Sequence, residues 1–220
     1  MKALLLANGE LYHPARIRER IKLQNFDLII GIDAGTKHAA ALELKPDLII
    51  GDFDSITEPH IDASGSPECK LYPTEKNETD LELGIRYAIG KGADTIVVVG
   101  ALGGRMDMWV SNILLLAHEE FSSCHVEIWH GEQAGWVARP PGGEIRGKAG
   151  DIVSLIPLCS AAGVTTSGLS YHLKDFEFIS GSSRGISNVL ECDRAYVELC
   201  QGMLLLVHSD SGIDQKGERK

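Results

Sequence analysis

Two aspartates on one short segment give the clearest chemical signal in the sequence. Asp52 and Asp54 are separated by one residue and follow the apolar run Asp47–Ile50, whose composition predicts a strand. Both carboxylates can face one cation, and without a cation between them they repel each other. Mg²⁺ prefers a few carboxylates combined with water and phosphate oxygens. The pair therefore predicts a magnesium site rather than a solvated turn.

A third acidic side chain, Asp80, lies at the start of a helix that the sequence predicts over Thr79–Ile89. Its carboxylate is a further candidate ligand for the same ion. The alternative is structural, because Thr and Asp are both common N-caps and either Thr79 or Asp80 could cap this helix. The sequence leaves both interpretations of Asp80 open.

A glycine-rich turn, Gly100–Arg105, joins the β-branched run Thr95–Gly100 to a helix predicted over Arg105–Glu119. Glycine-rich turns that lead into a helix N-terminus commonly hold phosphates. This turn is neither a Walker A loop nor G-x-G-x-x-G, so the signal is weak by itself. Arg105 could contact a phosphate or face solvent, and Asp107 could simply complement the helix dipole.

The elements that must position these residues alternate along the first half of the chain. The predicted strands are Lys2–Ala7, Asp27–Ile32, Asp47–Ile50, Thr95–Gly100 and Cys124–Trp129, and the predicted helices are Pro14–Leu23, Lys37–Leu44, Thr79–Ile89 and Arg105–Glu119. This alternation predicts a parallel α/β sheet. Open sheets of this kind bind ligands at the carboxyl ends of their strands. The residues that follow the strands there are Asn8, Gly9, Asp33, Gly35, Asp52, Asp54, Gly103, Gly104 and Arg105.

The second half of the chain shows short strands and no long helix. Pro140–Gly143 predicts a linker or a tight corner. The strands predicted after it are Asp151–Ile156, Gly163–Thr166, Phe176–Ile179, Arg194–Leu199 and Met203–Val207. This pattern predicts a small antiparallel sandwich or barrel. We therefore expect an α/β domain over residues 1–130, an all-β domain over 131–210 and a polar tail over 211–220.

Composition and charge exclude several classes of protein. The 220 residues include 31 acidic and 21 basic side chains, and the net charge of −10 disfavours non-specific binding to nucleic acid or an anionic membrane. No apolar run approaches the length of a membrane span. The apolar N-terminal run soon reaches Asn8, Gly9 and Glu10 and reads as a first strand, not a signal peptide. The five cysteines include no C-x-x-C pair, so we expect reduced thiols and a cytoplasmic protein.

Two other enzyme classes also use Asp-x-Asp after a strand. Phosphatases of the haloacid-dehalogenase type usually have Thr or Val after the second Asp and an acidic loop after a later strand. Here Ser55 follows the second Asp, and the later strand leads to Gly103, Gly104 and Arg105. Metal-dependent glycosyltransferases are usually larger than this chain. Both classes are therefore disfavoured.

Seven segments carry a resemblance to a known family. They are Asp33–Gly35, Pro46–Ile56, Glu75–Leu83, Gly100–Asp107, Ser154–Leu158, Thr166–Tyr171 and Gly185–Asn188. On these segments the chain resembles the thiamine pyrophosphokinases over most of its length. The acidic motif around Asp52 and Asp54 is specific, and the set in this order is highly specific.

The resemblance implies a fold, a reaction and a set of site residues. It implies an N-terminal α/β nucleotide-binding domain, a C-terminal β-sandwich, and a homodimer that holds thiamine between its subunits. The implied reaction moves pyrophosphate from ATP to the thiamine hydroxyl and releases AMP, with Mg²⁺ as cofactor. The implied catalytic and metal-binding residues are Asp52, Asp54 and Asp80; the ATP-binding residues are Asn8, Gly9, Asp33, Gly35, Lys76, Thr79, Gly103, Gly104, Arg105 and Asp107; and the thiamine-binding residues are Tyr171, Ser187 and Asn188. Without the resemblance, the sequence favours Tyr171 packed in the sandwich and a turn at Ser187 and Asn188.

Two residues depart from the family pattern. Asn77 stands where the family usually has Asp, and Met108 stands where it usually has His. These changes keep two alternatives open: a pyrophosphokinase for another alcohol such as a hydroxymethyl-pterin, and a non-catalytic nucleotide- or thiamine-binding relative. The presence of Asp52, Asp54 and Asp80 argues against the non-catalytic alternative.

Overall fold

The computed structural model describes residues 1–51, 67–73 and 75–210. The chain divides into two compact units, Met1–Gly131 and Glu132–Lys220. Asp52 and Asp54 lie outside the described residues.

The described part of the N-terminal unit contains six strands and four helices. The strands are β1 (Lys2–Leu6), β2 (Leu28–Ile32), β3 (Leu48–Gly51), β4 (Glu68–Leu71), β5 (Thr95–Val99) and β6 (His125–His130). The helices are α1 (Pro14–Lys22), α2 (His38–Leu42), α3 (Asp80–Gly90) and α4 (Met106–Leu115), with short 3-10 turns at Asp33–Lys37 and Glu119–Phe121. The predicted α/β class is confirmed, and β4 is an additional strand.

The strand order brings together elements that are distant in the sequence. The strands of this unit run in the order β6-β5-β1-β2-β3-β4, and every pairing is parallel. The chain therefore builds outward from β1 to β4 and then returns to the other side of β1 with β5. Strands β1 and β5 are buried along almost their whole length, which explains why their sequences are continuously apolar.

The helices pack closely on this sheet. A Cβ added to Gly84 of α3 would lie 2.4 Å from Cδ1 of Ile32, so the end of the Ile32 side chain of β2 fills the space beside this glycine. Pro14 occupies the first turn of α1, where its missing N–H costs nothing. Within the described residues, none of the helices combines the length and the apolar character that crossing a membrane requires.

The C-terminal unit is all-β. Its strands are β7 (Gln133–Ala138), β8 (Gly142–Arg146), β9 (Ile152–Pro157), β10 (Ala161–Ser167), β11 (Phe176–Phe178), β12 (Asn188–Val189), β13 (Arg194–Glu198) and β14 (Leu204–Ser209). They form two antiparallel arrays, β12-β9-β14-β7 and β11-β10-β13-β8. Fully buried side chains such as Ile145, Val164 and Phe178 form a common core. The predicted all-β class is confirmed.

Of the two predictions for Pro140–Gly143, a linker or a tight corner, the tight corner is confirmed. It joins β7 to β8, and the Gly142 N–H donates to the Arg139 carbonyl at 2.7 Å. Strand β7 was not predicted because Gly135 interrupts its apolar pattern. It forms because six of its residues pair with β14, which lies far along the chain.

Candidate functional site

A cleft of about 700 Å³ opens at the carboxyl edge of the parallel sheet in the N-terminal unit. It lies where the strand order reverses, between β1 and β5, and open α/β sheets bind ligands at this position. Its lining comes from four segments: Ala7–Glu10 after β1, Ile32 and Asp33 at the end of β2, Lys76 and Glu78–Leu81 at the start of α3, and several residues of the glycine-rich turn and α4.

The segments that follow β1 and β5 are bonded directly to each other. The Gly9 N–H donates to the Gly100 carbonyl at 2.7 Å, and the Glu10 N–H donates to the Leu102 carbonyl at 2.8 Å. A Cβ added to Gly9 would lie 2.5 Å from the Gly100 oxygen, so only glycine permits this approach. The Asn8–Gly9 and Gly100–Arg105 segments therefore form one continuous wall.

Two buried polar side chains hold this wall from behind. His38 places Nε2 3.0 Å from the Gly9 carbonyl; a carbonyl only accepts, so Nε2 carries the proton. Burial lowers the pKa of His38 although the bond to Gly9 opposes the shift, so His38 is neutral at pH 7. Asn112 donates from Nδ2 to the Ala101 carbonyl at 2.7 Å. Sequence reasoning missed both residues because a lone His or Asn within a helix carries no motif.

Asp33 lies at the centre of a second polar network. Its Oδ2 accepts from Asn8 Nδ2 at 3.2 Å, and Lys37 Nζ donates to Asn8 Oδ1 at 2.8 Å. The other carboxylate oxygen, Asp33 Oδ1, is buried and finds no hydrogen-bond partner among the described residues. An unpartnered buried carboxylate oxygen is costly, and a cation or a hydroxyl donor in the cleft would satisfy it.

The start of α3 brings a basic and an acidic side chain together. Lys76 Nζ lies 2.6 Å from Asp80 Oδ1, and both side chains are largely buried. The structure also resolves the two interpretations of the helix start: Thr79 is the N-cap, and its hydroxyl accepts from the Glu82 N–H at 3.2 Å. The Asp80 carboxylate is therefore free of a capping role.

The glycine-rich turn contributes a second basic side chain, Arg105, to the lining of the cleft. Gly103 and Gly104 both have positive φ, and no described heavy atom lies within 4 Å of a Cβ added to Gly104. Arg105 is exposed and binds both carboxylate oxygens of Asp107, at 3.1 and 2.6 Å. This guanidinium holds the pKa of Asp107 below its usual range.

Most of the sequence-predicted nucleotide residues converge on the cleft. Those that line it are Asn8, Gly9, Asp33, Lys76, Thr79, Gly103, Gly104 and Arg105, and the predicted catalytic and metal-binding residue Asp80 lines it with them. Gly35 and Asp107 do not line it; Gly35 instead allows the 3-10 turn to lie against β1, where a Cβ would be 2.1 Å from the Leu6 carbonyl. The last residue described before Asp52 is Gly51, and it packs against Asp33. The β3 strand end thus lies beside the Asp33 network.

The described charged lining of the cleft is predominantly acidic. It comprises the carboxylates of Glu10, Asp33, Glu78 and Asp80 and the basic groups of Lys76 and Arg105. Neither Glu10 nor Glu78 was a predicted site residue, because a single glutamate outside an Asp-x-Asp pair carries no signal of its own in the sequence. An anionic ligand in this cleft needs an additional cation to offset the carboxylates.

The three predicted thiamine residues lie in the C-terminal unit and differ in their surroundings. Asn188 is buried: its Oδ1 accepts from the Tyr171 and Val189 N–H groups, and its Nδ2 donates to the Tyr171 carbonyl at 2.8 Å. The Tyr171 side chain is 69% exposed, so it is not packed in the core. Ser187 is exposed with φ of 59°. Asn188 thus holds the backbone that presents Tyr171 to the surface.

A second group of potential metal ligands, Asp151, His208 and Asp210, lies in the C-terminal unit. Asp151 Oδ2 already accepts from His208 Nε2 and from the Lys148 N–H, each at 2.8 Å. These bonds explain the buried Asp151–His208 pair without an ion.

Comparisons with known proteins agree with this architecture. The family model "Thiamin pyrophosphokinase, catalytic domain" matches residues 20–128, and "Thiamin pyrophosphokinase, vitamin B1 binding domain" matches residues 144–204. A curated relative, thiamine pyrophosphokinase of Bacillus subtilis (strain 168), is 30% identical over 188 residues, which cover 83% of this chain and 87% of the relative.

Solved structures show the same fold. The crystal structure of thiamine pyrophosphokinase from Bacillus subtilis has a TM-score of 0.83 at 26% identity and covers 96% of this chain and 99% of that one. Thiamin pyrophosphokinase from Geobacillus thermodenitrificans has a TM-score of 0.79 at 24% identity, covering 99% and 100% of the two chains. The Candida albicans protein has a TM-score of 0.76 at 16% identity, covering 95% and 88%.

These matches define the chain as an enzyme of the pyrophosphokinase class. The chain belongs to the thiamin pyrophosphokinase family, whose members serve thiamine diphosphate synthesis. The resemblance found on the seven sequence segments is thereby confirmed.

Proposed function

We propose that the protein transfers the pyrophosphoryl group of ATP to the hydroxyl of thiamine, giving thiamine diphosphate and AMP, and that the nucleotide binds in the N-terminal cleft. The observation that carries the proposal is the convergence of Asp33, Lys76, Asp80 and Arg105 with a glycine-rich turn in one cleft of a family member. Basic groups and a glycine-rich turn suit phosphates, and acidic groups suit the cation that accompanies them.

The donor chemistry of the cleft fits Mg²⁺. The buried, unpartnered Oδ1 of Asp33 and the carboxylate of Asp80 are hard oxygen ligands of the kind that Mg²⁺ takes. We propose that Asp80 holds the ion together with Asp52 and Asp54, which lie outside the described residues, and that Asp33 contacts its waters or the nucleotide. When bound, Mg²⁺ neutralises charge on the phosphate oxygens.

In the proposed reaction, the thiamine hydroxyl oxygen attacks the β-phosphorus of ATP. A new O–P bond forms, the bond between the β-phosphorus and the α,β-bridging oxygen breaks, and that oxygen leaves with AMP. The hydroxyl proton passes to one of the cleft carboxylates. Lys76 and Arg105 stabilise the charge that grows on the phosphate oxygens, and the open backbone at Gly104 lets a phosphate approach the turn.

Thiamine requires an aromatic wall, and none of the described residues that line the nucleotide cleft is aromatic. Its positive thiazolium is favoured by the acidic lining, and its rings need an aromatic surface. We propose that Tyr171 and Ser187, presented by Asn188 within the segment that the vitamin B1 binding model matches, supply it. We propose further that they come from the second subunit of a homodimer. The five free thiols agree with a reducing cytoplasm.

The nucleotide product tests the proposal most directly. Incubation with ATP, Mg²⁺ and thiamine should give thiamine diphosphate and AMP in equal amounts, resolved by ion-exchange chromatography. Formation of ADP with thiamine monophosphate would mean phosphoryl transfer and would overturn the proposal. Omission of Mg²⁺ should abolish product formation.

A second acceptor remains a candidate because Met108, which replaces the family's usual His, lines the cleft. A parallel incubation with a hydroxymethyl-pterin should give no AMP above the thiamine-free background. Preferential AMP formation with the pterin would identify it as the acceptor. A thermal shift with both ligands but no product would identify a non-catalytic binding protein.

A further inference from the structure

Arg86 of α3, which follows the Glu75–Leu83 segment in the sequence, binds three carboxylates at once. Its Nη1 lies 2.9 Å from Glu78 Oε1, its Nη2 lies 2.9 Å from Glu82 Oε1, and its Nε lies 3.0 Å from Glu120 Oε2. Each of the three guanidinium nitrogens therefore binds a different carboxylate. Glu82 is one turn before Arg86 on the same helix, whereas Glu78 belongs to the segment that precedes the helix and Glu120 to the 3-10 turn after α4.

Glu78 is the member of this group that reaches the site. It lies midway between Lys76 and Asp80, whose side chains pair at 2.6 Å, and it lines the same cleft. The segment Lys76–Asp80 is thus tied at two places: the Lys76–Asp80 pair joins its ends, and the Arg86–Glu78 pair fixes its middle. The N-cap bond of Thr79 to the Glu82 N–H adds a third tie.

We propose that Arg86 is a positioning residue for nucleotide binding: it holds the Glu78 carboxylate and offsets its charge, so that Lys76 and Asp80 stay available to the phosphates and the metal. The inference rests on the proposed function, because it assumes that Mg²⁺ and ATP occupy the cleft.

The electrostatic reason lies in the charge balance of the cleft. Without Arg86, Glu78 would add an uncompensated carboxylate beside Asp80 and would repel the phosphates of ATP. It would also compete with Asp80 for Lys76, which is only two residues away. An arginine suits this role better than a lysine, because its planar fork binds several carboxylates in fixed directions.

The test compares Arg86→Ala with Glu120→Gln, which removes a partner of Arg86 that does not line the cleft. For Arg86→Ala we expect the Kd of Mg²⁺·ATP from calorimetry and the KM for ATP to rise by about tenfold, with the KM for thiamine changed by less than about twofold. Glu120→Gln should change all three values by less than about twofold. Arg86→Lys keeps the positive charge but not the planar fork, so it should give an intermediate rise.

The double variant Arg86→Ala/Glu78→Gln separates positioning from general loss of structure. Removing the uncompensated charge should restore most of the ATP affinity that Arg86→Ala loses, although it restores none of the lost salt bridges. Unchanged ATP affinity in folded Arg86→Ala and Arg86→Lys, or a double variant as weak as Arg86→Ala, would overturn the inference.

The binding measurement also keeps the two proposals distinguishable. If the wild-type protein forms no thiamine diphosphate but its ATP affinity follows the expected variant pattern, the proposed reaction fails and the role of Arg86 stands. If turnover is normal but the ATP affinity is unchanged in the Arg86 variants, the inference fails and the proposed reaction stands. Wild-type protein that binds no Mg²⁺·ATP would overturn both.

Discussion

The carboxyl-edge cleft of the N-terminal unit and the Tyr171–Asn188 surface of the C-terminal unit present polar groups in opposite ways. In the cleft, side chains hold one another, as in the Asn8–Asp33 and Lys76–Asp80 pairs, and the lining is concave. At the second surface, the Asn188 side chain hydrogen-bonds to the main chain, and the Tyr171 ring is exposed to solvent.

The difference indicates how each region would work. Pre-arranged charges in a cleft suit a ligand whose charges must be fixed before reaction. An exposed aromatic side chain on a well-held backbone suits a wall that becomes buried only when another surface covers it. We therefore expect removal of a single charge to impair the function of the cleft, and the function of the second surface to depend on a partner subunit.

The largest effect is expected from Asp80→Asn in the cleft. The change keeps the shape of the side chain but removes the charge that binds Lys76 and, in our proposal, the metal. We expect kcat with thiamine to fall by about 10²- to 10³-fold, measured as AMP release at saturating ATP and Mg²⁺. The matched control is Asp94→Asn, whose carboxylate pairs with the N-terminal amine at 3.0 Å at the start of β5. Wild-type turnover in Asp80→Asn would show that its carboxylate is structural.

Mixing two inactive variants tests whether the two regions meet across subunits. Asp80→Ala removes the cleft function and Tyr171→Ala removes the aromatic wall, and each should be inactive at low thiamine. A shared site predicts recovery to roughly a quarter of wild-type activity, because about half of randomly paired dimers are mixed and each has one intact site of two. Subunit exchange is verified with differently tagged chains. Failure to recover after verified exchange would place both groups in the site of one chain.

Stability measurements should separate the two residues of the C-terminal surface. Asn188→Ala leaves the Tyr171 N–H and carbonyl and the Val189 N–H without their side-chain partner, so we expect the free energy of unfolding to fall by about 1–3 kcal/mol. Tyr171→Ala removes an exposed ring and should change it by less than about 0.5 kcal/mol. Denaturant titration followed by circular dichroism provides both values. Equal losses would show that the Tyr171 ring packs more than its exposure indicates.

The smallest effect is expected from restoring the family's usual residues. Met108 lines the cleft, so Met108→His adds a hydrogen-bond donor there and should raise kcat/KM for thiamine by about fivefold. Asn77 is exposed and does not line the cleft, so Asn77→Asp should raise it by less. Steady-state kinetics of both single variants and the double variant test which change raises kcat/KM more. A larger gain from Asn77→Asp would contradict the position of its side chain.

The sequence by itself determined the fold class and most of the candidate site. Alternation of apolar runs with helical patterns specified a parallel α/β unit, because buried strands and amphipathic helices have different periods. Since polar residues followed several strands, parallel pairing was enough to bring Asn8, Asp33 and Gly103 to one edge. The motif residues around Asp80 could be recognised because they are contiguous in the chain.

Only the tertiary structure decided which strand ends touch and which side chains support them. Nothing local in the sequence places β5 beside β1, yet this pairing joins Gly9 to Gly100 and creates the wall of the cleft. His38 and Asn112 act through partners 29 and 11 positions away, and Arg86 binds Glu78 and Glu120, which lie 8 and 34 positions away, besides Glu82 on its own helix. Strand β7 depends on pairing with β14. Each of these contacts gains its energy from packing between distant segments, which local propensity and periodicity do not encode.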